Sequence, residues 1–304
     1  MALPFGKTPS TSKEHLVQDL TTPGATAATA PTQYVTVQGN RIAYRAIGHG
    51  APLVLANRMR GTLDTWDPLF LDTLAKSHTV ITFDYPGIGY SEGQLPTDLS
   101  VLAVLVREFA SALSLGRFAM AGWSWGGYVT QTLLLESPDL VTHALLIATD
   151  PPGENEFPIQ ERFLDRALKP INDSDDDEVL FFEPSSDRSR IAARESRDRI
   201  YARPGVVDRI PSALDDILQY LKAYETFRDD RESRREGLTK SQVPILVIGG
   251  DKDPSTAAQN WYPLIGRIPR GQLVVLPEAG HGPQHQYPQL SAKYIEQFLA
   301  LTEA

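Results

Sequence analysis

Short apolar runs alternate with stretches of helical period along most of this chain, and that alternation limits the possible folds more than any other feature. The runs are YVTV (34–37), RIAYRAI (41–47), PLVLA (52–56), HTVITF (78–83), RFAMAG (117–122), THALLIA (142–148), PILVIGG (244–250) and QLVVL (272–276). The first two flank Gln38-Gly39-Asn40 and read as a hairpin of half-buried strands. The later runs are continuously apolar, as strands covered on both faces must be. Helical spacing predicts helices over 66–75, 99–115 and 126–136, and near 257–265 and 290–301. The fold class expected is α/β, a mainly parallel sheet with helices on both faces and the hairpin as its antiparallel edge.

The alternation lapses twice. Residues 1–32 are a polar, Thr/Ala/Pro-rich leader, expected to be flexible or draped over the surface, with room for a short helix at 14–20. Residues 151–240 show almost no strand signal. They carry apolar helical stretches at 163–168 and 210–223, and an acidic run of Asp173, Asp175, Asp176, Asp177 and Glu178. The domain reading is a leader (1–32), a core (33–150 and 241–304) and a helical insertion (151–240). Leaving at the carboxyl end of a strand, the insertion would cover the place where such sheets bind ligands, as a lid. An edge decoration is the blander reading of the same segment.

The 304 residues suffice for one large α/β domain with an insertion. A net charge of −9 argues against a nucleic-acid partner. No stretch approaches the ~20 apolar residues of a membrane span. The start MALPFGKTPSTSKEHL lacks a secretory pattern. The absence of cysteine removes disulfides, thiolate nucleophiles and Cys-based metal sites. Together these lead to the expectation of a cytoplasmic protein; oligomeric state is not legible.

The sharpest chemical motif is Gly122-Trp123-Ser124-Trp125-Gly126. It ends an apolar strand and opens a helix, the setting in which a strained turn lifts a serine hydroxyl clear of the sheet. That hydroxyl needs a base. Of six histidines, His15 lies in the leader and His49 in a turn, while His78 and His143 begin strands, at the opposite edge of a parallel sheet. His281 follows the last strand between two glycines; nearby His285 is the weaker alternative. The imidazole needs an acid to fix its tautomer. Asp253, in Gly250-Asp251-Lys252-Asp253-Pro254, is favoured, with Asp251 more suited to bonding backbone in the turn and Asp150 a third candidate.

Ser124, Asp253 and His281, in that chain order, resemble the catalytic triad of the α/β-hydrolase superfamily, and Asp84-Tyr85-Pro86-Gly87-Ile88-Gly89-Tyr90-Ser91 resembles its DxxGxGxS loop. The resemblance covers about 34–150 and 241–302. It implies an eight-stranded sheet, a mobile lid and no cofactor. The chain departs from the family where His-Gly usually follows the third strand, since Asn57-Arg58 stands there. By spacing, Met59 takes the position that donates an oxyanion-hole N–H, with Arg58 the alternative; Trp125 would supply the second. Trp125 is expected to line the pocket, Trp123 to pack in the core, and Arg58 and Arg60 are candidates for a substrate carboxylate.

The expected activity is hydrolysis of a small-molecule carbonyl substrate, a carboxylic ester or lactone, without metal. A serine at the elbow argues against dehalogenase and epoxide hydrolase relatives, which carry Asp there. C–C bond hydrolysis, perhydrolysis and proline aminopeptidase chemistry stay open, although the HGGPG segment of the last is missing. Outside catalysis, a receptor or scaffold on this fold and an acidic interaction module are the competing classes.

Overall fold

The computed structural model of the protein describes residues 20–302. In chain order the core begins with β1 (Gln33–Val37), β2 (Asn40–Gly48), β3 (Ala51–Ala56), α1 (Pro68–Leu74), β4 (His78–Phe83), α2 (Leu99–Ala112), β5 (Phe118–Trp123), α3 (Trp125–Glu136) and β6 (Val141–Ile147). Residues 151–240 contain α4 (Glu161–Ala167), α5 (Ser174–Phe181), α6 (Asp187–Tyr201), α7 (Leu214–Asp229) and α8 (Arg234–Lys240). The core resumes with β7 (Ile245–Gly250), α9 (Tyr262–Ile265), β8 (Gly271–Leu276), α10 (Pro283–Gln286) and α11 (Pro288–Leu301).

The eight strands form one sheet in the order β1-β2-β4-β3-β5-β6-β7-β8. β2 pairs antiparallel with β1 and with β4, and the other pairs are parallel. Alternate residues of a strand face opposite sides. On β3, Val54 and Ala56 pack with Phe109 and Val129, whereas Leu53 and Leu55 pack with Phe70 and Phe298. Both faces of the central strands are therefore buried, which is why their sequences are apolar without a break. The loops after β3, β5, β7 and β8 all emerge at one edge, and the site is built there.

The first helix starts two residues later than its spacing predicts. Pro68 supplies a pre-set φ at the first turn and Asp67 caps it, accepting from the Leu69 N–H. Trp66 instead packs in the core against Phe70 and Trp123. Within the acidic run Asp176 is buried and Asp177 and Glu178 are half-buried, while Asp173 and Asp175 are exposed. Asp173 caps α5 in a reciprocal box with Asp176, Lys169 and Arg166 pair with Asp176, and Arg197 pairs with Asp177.

Arg60, Arg199 and Arg203 are among the arginines that fasten 151–240 to the rest. Arg60, 4% exposed in the loop after β3, donates to the carbonyls of Ala167, Lys169, Pro170 and Pro211 and to Asn172 Oδ1. Arg199 makes a two-pronged pair with Asp67. Arg203 donates to the carbonyls of Ala27, Ala28 and Ala30 and lies 3.4 Å from Asp64. The leader's 20–32 stretch is thereby anchored: Ala30 is buried and the Ala27 N–H donates to Asp72. The rest of the leader, and with it the helix anticipated at 14–20 apart from Leu20, lies outside the described residues.

Arg60→Ala takes the donor from the buried contacts to the Ala167 and Pro211 carbonyls and from the part-buried ones to Lys169, Pro170 and Asn172, each buried loss costing on the order of 1 kcal/mol or more. We expect a loss of about 3 kcal/mol, a fall in Tm of roughly 6 °C or more, and faster amide exchange over 167–172. An unchanged Tm would show that Arg60 is no anchor.

Candidate active site

β5 is buried along its length and runs directly into α3. The chain reverses at Ser124, whose φ of 54° and ψ of −118° are strained for an L residue. Two glycines permit the turn. A Cβ on Gly122 would stand 2.2 Å from the Gly126 carbonyl oxygen, and one on Gly126 would stand 2.2 Å from that of Ala56. The Ser124 N–H donates to Ile147 O and the Gly127 N–H to Ser124 O, which closes the turn. Ser124 thus sits, half-buried, at the head of α3.

The loops after β7 and β8 bring the other two groups to it. His281 Nε2 lies 2.7 Å from Ser124 Oγ, and His281 Nδ1 lies 2.9 and 3.0 Å from the two Asp253 oxygens. The Asp253 carboxylate also accepts from the Ser255 and Thr256 N–H groups and from the Thr256 hydroxyl. His281 is 1% exposed; its own carbonyl accepts from Trp123 Nε1 at 2.7 Å, and the Phe163 ring stands edge-on to it at 5.2 Å. The helical segment reaches this loop through Phe181, whose carbonyl accepts the Gly282 N–H at 2.7 Å.

The other candidates are engaged elsewhere. Exposed Asp251 accepts the Ala279 N–H. Asp150 accepts from Asn260 Nδ2, and burial pushes its carboxyl up to about 8. His285 sits against Trp123 with its Nε2 accepting the Asp67 N–H, and desolvation lowers it to about 4, so it is neutral at pH 7. His143 bonds to Thr302 O at the start of β6. Asp84 of the DxxGxGxS loop accepts from the Leu63 and Tyr90 N–H groups and is raised by burial to about 7. It holds that loop and does not reach His281.

A cavity of about 390 Å³ opens over Ser124. Its wall includes Arg58, Met59, Trp125 and His281 from the core and Phe163, Leu164, Leu168 and Tyr220 from the helical segment. Leu164 and Leu168, 37% and 47% exposed, are apolar parts of that wall. Trp125 donates its indole N–H to Tyr220 O and meets that ring edge-on at 4.8 Å. Trp123 packs in the core among Trp66, Phe181 and His285. Arg60, offered by the sequence as a carboxylate binder, is hydrogen-bonded on all three guanidinium nitrogens to the 167–172 and 211 region. Arg58 lies with its guanidinium 4.4 Å from the Phe181 ring centre and 5.2 Å from that of Trp123. Sequence reasoning missed Thr256 and the contact of Phe163 with His281. An Asp followed at two and three residues by Ser255 and Thr256 is the pattern of a side chain bonding back to its own turn, and it could have pointed to Thr256. Among the described residues no group of His, Asp or Glu is arranged to hold a metal ion, and no helix is long and apolar enough to cross a membrane.

A family model described as alpha/beta hydrolase fold matches residues 49–288. The chain is 30% identical over 274 residues to the dihydrolipoyllysine-residue acetyltransferase component of an acetoin cleaving system from Cupriavidus necator, covering 85% of this chain but only 66% of that protein. It is 26% identical over 256 residues to a pimeloyl-[acyl-carrier protein] methyl ester esterase from Nitrosomonas europaea, covering 80% of this chain and 93% of the relative. Among solved structures, an alpha/beta hydrolase fold protein from Chitinophaga pinensis superposes with a TM-score of 0.79 at 29% identity, covering 91% of this chain and all of that one.

The raised carboxyls set a pH dependence. Asp150 ionises near its ordinary value when unfolded, but in the folded protein it keeps its proton to about pH 8. The folded state therefore binds more protons in this window, and stability falls as pH rises through it. His285 acts with the opposite sign, but only below about pH 6.5. Between pH 6.5 and 8.5 the Tm of Asp150→Asn should fall less steeply than that of the wild type. Equal slopes would mean that Asp150 is ionised in the folded protein.

Proposed function

The chain belongs to the alpha/beta hydrolase fold family, and on that premise we propose that it is a serine hydrolase cleaving a carboxylic ester or lactone through an acyl-enzyme. The observation that carries this reading is the unbroken line of hydrogen bonds from Ser124 through His281 to Asp253.

Ser124 Oγ attacks the substrate carbonyl carbon as its proton passes to His281 Nε2. Asp253 accepts from Nδ1–H, so it fixes the tautomer that leaves Nε2 free and stabilises the imidazolium that forms. Backbone N–H groups of Trp125 and Met59 stabilise the oxyanion, each worth about 3–4 kcal/mol of barrier. Their residues line the cavity with Ser124, and Trp125 opens α3, whose positive end faces the reacting centre. Collapse of the intermediate expels the alcohol, protonated by His281, and leaves the acyl group on Ser124. Water then attacks with His281 as base, releasing the acid and restoring the hydroxyl. The Nitrosomonas europaea relative is itself a methyl ester esterase. A receptor or scaffold role would give no reason for all three groups to be held within hydrogen-bond reach.

In the same reading, 33–150 and 241–304 form the catalytic core and 151–240 the lid that sets substrate choice. Phe163, Leu164 and Leu168 line the cavity without bonding the reacting groups, so they can shape an acyl chain.

A fluorophosphonate probe should label Ser124 in folded protein only, and Ser124→Ala should lose activity by several orders of magnitude with its Tm retained. Asp253→Asn should cost about 10⁴-fold, as the wrong tautomer does in serine proteases, and far more than Asp251→Asn. Labelling at another residue, or greater damage from Asp251→Asn, would refute the assignment.

Leu164→Ala should enlarge the chain-length optimum across a series of ester substrates. An identical profile in a stable variant would make the insertion an edge decoration.

A further inference from the structure

Three guanidinium groups border the cavity, and two of them are neutralised or fully engaged. Arg60 is bound by main-chain carbonyls, and Arg197 forms an ion pair with Asp177. Arg58 is different. Its Nη1 donates to the carbonyl of its neighbour Met59 at 2.8 Å, while its Nε is buried and meets no acceptor among the described residues. The faces of Phe181 and Trp123 hold the group in place without cancelling its charge. Desolvation lowers its pKa only to about 10, so it stays cationic at neutral pH. Asp177 lends it a favourable field but is bonded to Arg197, and Asp208 stands at the exposed mouth. Arg58 is half-buried, and a partly desolvated cation with an unused N–H is stabilised when an anion joins it. Arg58 and Ser124 line the same cavity.

We propose that Arg58 is a specificity-determining residue for a substrate carrying a free carboxylate, so that the protein acts on an ester or lactone of a dicarboxylic or hydroxy-dicarboxylic acid. The carboxylate pairs with the Nη edge of the guanidinium, the Nε being buried, and that planar edge offers two N–H donors where an ammonium offers a point charge. The carbonyl to be attacked then lies over Ser124, and the anion is stabilised at the wall. This inference rests on the hydrolase reading above.

The test compares kcat/KM on 4-nitrophenyl hemiglutarate and on the neutral 4-nitrophenyl pentanoate. In Arg58→Met, whose stem still covers Phe181, the anionic-to-neutral ratio should fall at least 30-fold, and Arg58→Lys should restore only part of it. A merely structural role would lower both esters together and leave the ratio unmoved, which would overturn the proposal. Should Arg58→Met fail to fold, Arg58→Gln reads the same ratio. Calorimetry with glutarate separates this proposal from the hydrolase reading. If the wild type cleaves neither ester but binds glutarate, and Arg58→Met binds it at least 30-fold more weakly, the ester reading fails and the Arg58 site stands. If the wild type does not bind glutarate, the Arg58 site fails whatever the esters show.

Discussion

The site depends on one strained residue. Ser124 sits at φ 54° and ψ −118°, a conformation that costs on the order of 1–3 kcal/mol and persists only where the surroundings over-determine it. Here they do. β5 is locked between β3 and β6, the Ser124 N–H is taken by Ile147 O, and α3 is pressed so close that Gly126 touches the end of β3. The buried sheet thus bears the strain, and the hydroxyl stands above the edge where the loops after β7 and β8 arrive.

Charge is distributed around this turn by supply of donors. Asp253 receives two backbone N–H groups, a hydroxyl and the imidazole, and so has partners suited to a carboxylate in a dry site. Asp84 has two backbone donors and Asp150 one side-chain amide, and burial raises both. Asp84 and Asp150 are thereby biased toward neutrality at moderate pH, and of these three carboxyls Asp253 has the fullest set of partners. The same logic sorts the arginines: Arg60 has carbonyls on every nitrogen, whereas Arg58 has one neighbouring carbonyl and aromatic faces.

Much of this was legible in the sequence, and for a local reason. A strand buried on both faces must be apolar throughout, so β3 to β7 announce themselves, and the order Ser124, Asp253, His281 follows from loops at one sheet edge. Gly122 and Gly126 mark the tight turn within five residues. What stayed hidden involves partners far apart in the chain. Nothing near Arg60 reveals that it reaches residues 167–172 and 211, and nothing near Ala27 or Ala30 reveals Arg203. The acidic run at 173–178 reads as the mark of an acidic interaction module until its basic partners, Arg197 among them, are located. The start of α1 was misjudged because Trp66 continues the apolar spacing while packing beside Trp123, not on the helix.

The Arg60 anchor has a consequence for how this protein can change over evolutionary time. Its acceptors at 167, 169, 170 and 211 are main-chain oxygens, and only Asn172 contributes a side chain. Every amino acid presents the same carbonyl, so the fastening is blind to side-chain identity. The neighbouring side chains of Leu168, Pro170 and Ile171 border the cavity. Drift at these positions can remodel the chamber while the strap that holds it down stays intact, so the architecture separates attachment from selectivity and lets the second diversify under the protection of the first.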